Sequence, residues 1–173
     1  DVEARAAVKA AIEMEGPVYL RFGRLAAPIF NDPETYQFEI GKGITLREGK
    51  DVTLVATGLM VSEALDAAEQ LAAEGISARV VNIHTIKPLD VDLIAKAAAE
   101  TGLLITIEEH SIIGGLGAAV AEAVCDTCPV PVVRIGVNDE YGHSGPAVDL
   151  LKEFGLCAEH IVEVTKASMA KKA

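Results

Sequence analysis

From residue 52 to residue 137 the chain alternates between short β-branched runs and apolar stripes with helical spacing, which constrains the fold more than any other feature. VTLVAT (52–57) reads as a strand buried on both faces. Val61, Ala64, Leu65, Ala68, Leu71 and Ala72 then recur at helical intervals and stop at Gly75, a C-terminal helix signal. ARVVNI (78–83) is the next strand, and Pro88 and Asp90 start a helix that runs to Gly102. LLITIE (103–108) is a strand, a helix runs from about Gly115 to Asp126, and PVVRIGV (131–137) is the last strand. This order demands right-handed βαβ crossovers. The expected fold is therefore α/β: a three-layer domain with a mostly parallel (mixed) sheet of about five strands, helices covering both faces.

The flanks are less regular. Residues 2–14 carry Ala4, Val8, Ala11 and Ile12 at helical spacing, and Gly16-Pro17 breaks that pattern. VYLRF (18–22) reads as a strand. RLAAPIFNDPET (24–35) has two prolines and no periodicity, so it reads as a linker and the best domain boundary. FEIGKGITLREGKD has short β-like runs with Gly turns and reads as a hairpin. Near the end, Ser144 and Pro146 suit an N-cap and first turn, Gly155 closes that helix, and a final helix from about Ala158 ends in lysines.

Half of the 173 residues are hydrophobic, enough for a sizeable core and against disorder. The net charge of −11 repels polyanions, so nucleic acid is not an expected partner. No apolar run approaches the roughly 20 residues of a membrane span, and the charged start DVEARAAVKA is not a signal peptide. An odd set of three cysteines points to a reducing, cytoplasmic compartment. The first residue is Asp, not Met, which suggests a piece cut from a longer polypeptide.

The stretch with the most chemistry is EEHSIIGGLG, 108–117. Glycines at a helix N-terminus let backbone N–H groups approach an anion, but the dinucleotide fingerprint G-x-G-x-x-G fails here, because Val120 follows Gly115 and Gly117 in the third position. Glu108, Glu109, His110 and Ser111 follow a strand end, where ligands bind in open sheets. Neighbours on an extended chain point oppositely, so Glu109 and His110 are not assigned one pocket. A structural or interface turn is the preferred reading.

His84 and Lys87 also follow a strand, and each alone is a weak signal. His143-Ser144 invites a catalytic pair, yet Ser144 is better explained as a cap. Cys125-x-x-Cys128 with Cys157-x-x-His160 has zinc-like composition. The first pair ends a helix, however, where the dipole opposes thiolates, and Cys157 sits at an N-cap position. Arg24, just past VYLRF, is well placed to grip a phosphate or carboxylate with its forked guanidinium.

GPVYLRFGR (16–24), VTLVATG (52–58), IKPLD (86–90), EEHSIIGGLGAAVAE (108–122) and YGHSGPAVDLLKEFGL (141–156), in that order and spacing, resemble the transketolase family. The likeness is greatest to the C-terminal half of transketolases split into two polypeptides. Deoxyxylulose-phosphate synthases and 2-oxo acid dehydrogenase β chains are more distant. The resemblance implies that residues 1–35 are the end of the pyrimidine-binding module plus a linker, and that residues 36–173 are the C-terminal domain. It implies transfer of a two-carbon ketol unit between phosphosugars by thiamine diphosphate with Mg2+. The chain has no G-D-G metal motif and no pyrimidine-module glutamate, so by the resemblance it binds neither group and is inactive alone. Its expected partners are N-terminal transketolase modules or a subunit, a second copy in a homodimer, and a phosphosugar bound in the complete enzyme. Arg24 matches the family arginine that contacts the sugar phosphate. A deoxyxylulose-phosphate synthase, a 2-oxo acid dehydrogenase β chain, or a stand-alone anion- or nucleotide-binding module remain alternatives.

Overall fold

The computed structural model describes residues 1–172. The elements in chain order are α1 (Val2–Glu13), β1 (Ile44–Arg47), β2 (Val52–Ala56), α2 (Met60–Ala73), β3 (Ala78–Asn82), α3 (Val91–Thr101), β4 (Leu104–Ser111), α4 (Leu116–Asp126), β5 (Val132–Val137), α5 (Ala147–Glu153) and α6 (Ala158–Lys172). The five strands form one sheet in the order β1-β3-β2-β4-β5. β2 lies parallel to β3 and β4, and β4 parallel to β5, while β1 joins the β3 edge antiparallel. The result is the mixed α/β sheet that the alternation predicts.

Strand parity divides the core into two layers. Val52, Leu54 and Ala56 of β2, with Val80 of β3 and Ile105 and Ile107 of β4, face α2 and α6. Val55, Val81 and Leu104 face the other way, onto Ile94 and Ala98 of α3 and Leu116 and Val120 of α4. Every residue of β2 and β3 is buried, Thr53, Arg79 and Asn82 included, which is why both read as mostly apolar runs. The chain leaves β2 toward β3 and returns past it to β4. The strand order therefore reverses between β2 and β4, where the helices that follow these strands, α2 and α4, cover opposite faces.

The helix ends follow local chemistry. Asp90 caps α3: its Oδ1 accepts from the Leu93 N–H at 3.2 Å and its Oδ2 from the Gly43 N–H at 3.0 Å. Gly102, left-handed at φ 64°, closes the same helix.

Three expectations are corrected. VYLRF (18–22) forms no strand, since among the described residues no edge pairs with it and a lone five-residue strand has no ladder. The expected hairpin is a single strand, β1, which pairs with β3 rather than with a neighbour in sequence. Ser144 does not cap α5: Pro146, with extended ψ of 134°, holds the N-cap position and no side chain caps the helix. β4 also runs past Glu108 to Ser111, its register with β5 shifting after Ile107.

Candidate functional site

The carboxyl ends of β2, β3 and β4 gather the residues that carry chemistry. At the end of β4, the Glu108 side chain turns inward and is 1% exposed. Its Oε2 accepts from the Leu116 N–H at 2.7 Å and its Oε1 from the Gly117 N–H at 2.8 Å. The carboxylate thus takes the orphan amides of the first turn of α4 and meets the positive end of its dipole. The amides that a phosphate would use are engaged by the chain's own side chain, whose charge repels an anion. This removes the structural basis for a nucleotide or anion site at the glycine turn.

Gly115 makes room for this carboxylate, and Gly117 for the neighbouring Thr106 and Arg134 side chains. A Cβ on Gly115 would lie 1.9 Å from Glu108 Oε2, and one on Gly117 would lie 2.8 Å from both Thr106 Oγ1 and the Arg134 side chain. Glu109 and His110 do not share a pocket: His110 Nδ1 pairs with the Ser111 carbonyl oxygen at 3.0 Å and the ring is exposed.

His84, beyond β3, is half-buried. Its ring lies 4.2 Å from that of Phe38, Nδ1 pairs with Thr85 Oγ1 at 2.9 Å, and Nε2 is buried without a partner. Burial holds its pKa below the ordinary histidine value, and the nearby Glu3 carboxylate opposes that shift. Lys87 is exposed. His143 pairs with Glu153 at 2.6 Å, not with Ser144.

The cysteines are free: Cys125 is exposed, and Cys128 and Cys157 are half-buried. Burial pushes the Cys157 thiol up, away from thiolate formation. His160 leans over Gly155, where a Cβ would meet its ring at 2.7 Å. Among the described residues no group of three or more His, Cys, Asp or Glu converges to hold a metal ion. With the α4 amides committed to Glu108, the residues present do not fit a metal-bound diphosphate.

Arg24 is exposed, and among the described residues its guanidinium has no hydrogen-bond or ion-pair partner. Nearby Arg21 donates to the Glu109 carbonyl oxygen at 3.3 Å, which brings GPVYLRFGR alongside the end of β4. One cluster escaped sequence reasoning. Glu3 Oε2 accepts from the Tyr36 hydroxyl at 2.8 Å and from Asn82 Nδ2 at 2.5 Å, joining α1, the start of the sheet module and the last residue of β3. No local pattern marks residues so far apart in sequence.

The family model for the transketolase C-terminal domain matches residues 41–161. A 6-deoxy-6-sulfo-D-fructose transketolase subunit from Clostridium sp. (strain MSTE9) is 48% identical over 160 residues, covering 92% of this chain and 49% of that protein. A 1-deoxy-D-xylulose-5-phosphate synthase from Heliobacterium modesticaldum is 42% identical over 161 residues, covering 92% of this chain and 25% of its own length. A solved split gene transketolase, described as an inactive beta4 tetramer, superposes with a TM-score of 0.94 at 48% identity, over 98% of this chain and 55% of that one. The chain spans about half the length, or less, of these relatives. It belongs to the transketolase family, whose C-terminal domain it carries.

Proposed function

We propose that this chain is the C-terminal part of a transketolase that transfers a two-carbon ketol unit between phosphosugars using thiamine diphosphate, and that it is inactive alone. The observation that carries the reading is the TM-score of 0.94 to a split gene transketolase over 98% of this chain. When bound in the complete enzyme, thiamine diphosphate supplies the carbanion chemistry. The residues described here do not fit it, and no step assigned to this chain runs through it.

The chain's own share is substrate contact and assembly. Arg24, exposed and unpartnered, would grip the anionic end of the sugar by two parallel N–H bonds. The relatives' names include both a sulfonated and a phosphorylated sugar, and either tetrahedral anion suits that fork. For assembly, Ile12, Tyr19, Phe22 and Ile29 are large apolar side chains left exposed along one stretch of sequence, as at a protein interface. They would meet an N-terminal transketolase subunit and a second copy of this chain. The split gene neighbour is itself described as a tetramer.

The test is ketol transfer from a phosphorylated ketose by this chain assembled with an N-terminal subunit. Arg24→Ala is expected to raise KM for the phosphorylated donor roughly 10- to 100-fold, the worth of hydrogen bonds to a charged group, with kcat changed less. An equal loss on an unphosphorylated donor would remove the role of Arg24. Turnover by the purified chain alone would sink the reading of inactivity. A deoxyxylulose-phosphate synthase is the second reading, favoured by the 42% identical relative. Formation of 1-deoxy-D-xylulose 5-phosphate by the assembled enzyme would select it.

A further inference from the structure

Helix α1 has no buried residue, and its apolar stripe meets no core: Ile12 is 79% exposed. Its alanines Ala4, Ala6, Ala7, Ala10 and Ala11 are only half-buried, so polar contacts carry part of its attachment. The described side-chain bonds from α1 to the rest of the chain converge on Glu3 Oε2, which accepts from Tyr36 and Asn82 at once. Asn82 ends β3, is 0% exposed, and its Oδ1 is buried without a partner. Glu3 therefore satisfies the Asn82 amide from outside the sheet module, and its removal leaves a buried donor unpaired. Burial first, and then the Glu3 charge, push the Tyr36 pKa far above the ordinary tyrosine value. The hydroxyl stays a donor at any working pH. The His84 ring, just past β3, lies tilted by 30° against that of Phe38, with 4.2 Å between centroids.

Glu3 and Tyr36 are also the two ends of one excursion. They bond to each other at Glu3 Oε2, which also takes the Asn82 amide, and the chain between them contains Arg24. The only other described side-chain bond from that excursion to the sheet module is the 3.3 Å contact from exposed Arg21. We propose that Glu3, Tyr36 and Asn82 form a polar lock that fastens α1, and with it the loop bearing Arg24, onto the carboxyl end of β3. The lock is read from geometry alone. Its consequence for Arg24 rests on the function proposed above.

Amide hydrogen exchange on the 173-residue chain tests it without sugar, cofactor or partner. Tyr36→Phe deletes one bond and leaves the ring in place, so the α1 amides should exchange about 2- to 10-fold faster, the worth of one net hydrogen bond. Glu3→Ala should speed them further. Glu3→Gln keeps an acceptor oxygen for both donors and should stay near the parent rate. Amides of β2 and β4 should not change. Unaltered α1 exchange in Glu3→Ala would overturn the lock. So would uniform acceleration through β2 and β4, because the cluster would then belong to the global fold. The Arg24 kinetics fail or succeed separately: a working lock with an inert Arg24 rejects the function and keeps the lock.

Discussion

Gly115 lacks a side chain because Glu108 stands where one would go, with Oε2 at 1.9 Å from the missing Cβ. Gly115→Ala must push the carboxylate off the Leu116 and Gly117 amides. Glu108→Ala leaves those same amides buried and unpaired. Each single change is expected to cost about 1–3 kcal/mol in urea unfolding. The double variant should cost clearly less than the sum, because both changes break one contact. Strict additivity would show that the glycine serves another purpose. The sequence made the turn and its close packing legible through the glycines. It hid the role of Glu108, because a carboxylate beside a second carboxylate and a histidine looks like a reaction centre. Parity held the answer: Glu108 points the same way as Leu104 and Thr106, into the layer beneath α4.

At the level of elements, β2 and β3 were legible because strands buried on both faces are dominated by valine, leucine and alanine, here broken only by Thr53, Arg79 and Asn82. VYLRF is also made largely of strand-favouring residues and forms no strand, because a strand is a relation between two chains of amides and among the described residues this segment has no partner edge. β1 illustrates the same point in reverse: its partner is β3, far along the sequence, so a local hairpin reading could not find it. α3 was the best specified helix, with Asp90 before it and left-handed Gly102 after it. Asp90 also receives the Gly43 N–H, tying the approach to β1 to the cap. Asp90→Ala is expected to destabilise the chain by about 1–2 kcal/mol, measured by thermal or urea unfolding. Asp90→Asn, which can still accept from Leu93, should recover most of it. Equal losses in the two variants would show that charge, not capping, is what counts.

Over the whole molecule, the sheet and its four covering helices α2, α3, α4 and α6 close a core with two faces, while residues 8–30 leave Tyr19 88% exposed among other apolar side chains. That stretch is the expected association surface. Phe22→Asp should lower the average mass in sedimentation at fixed concentration and leave the melting transition in place. An unchanged mass would take the stretch out of the interface. Neither α1 nor residues 16–35 add to the core: α1 forms as its spacing predicts, whereas VYLRF builds no strand.

An open sheet of this topology carries a ready ligand socket at the point where strand order reverses, here between β2 and β4. Glu108 stoppers that socket with a side chain supplied by the strand itself. The scaffold is thus filled from within at the place where open sheets of this topology bind ligands. The stopper is one residue deep. A descendant with a small residue at position 108 would open the Leu116 and Gly117 amides to an outside anion, at the stability cost of the lost Glu108 bonds.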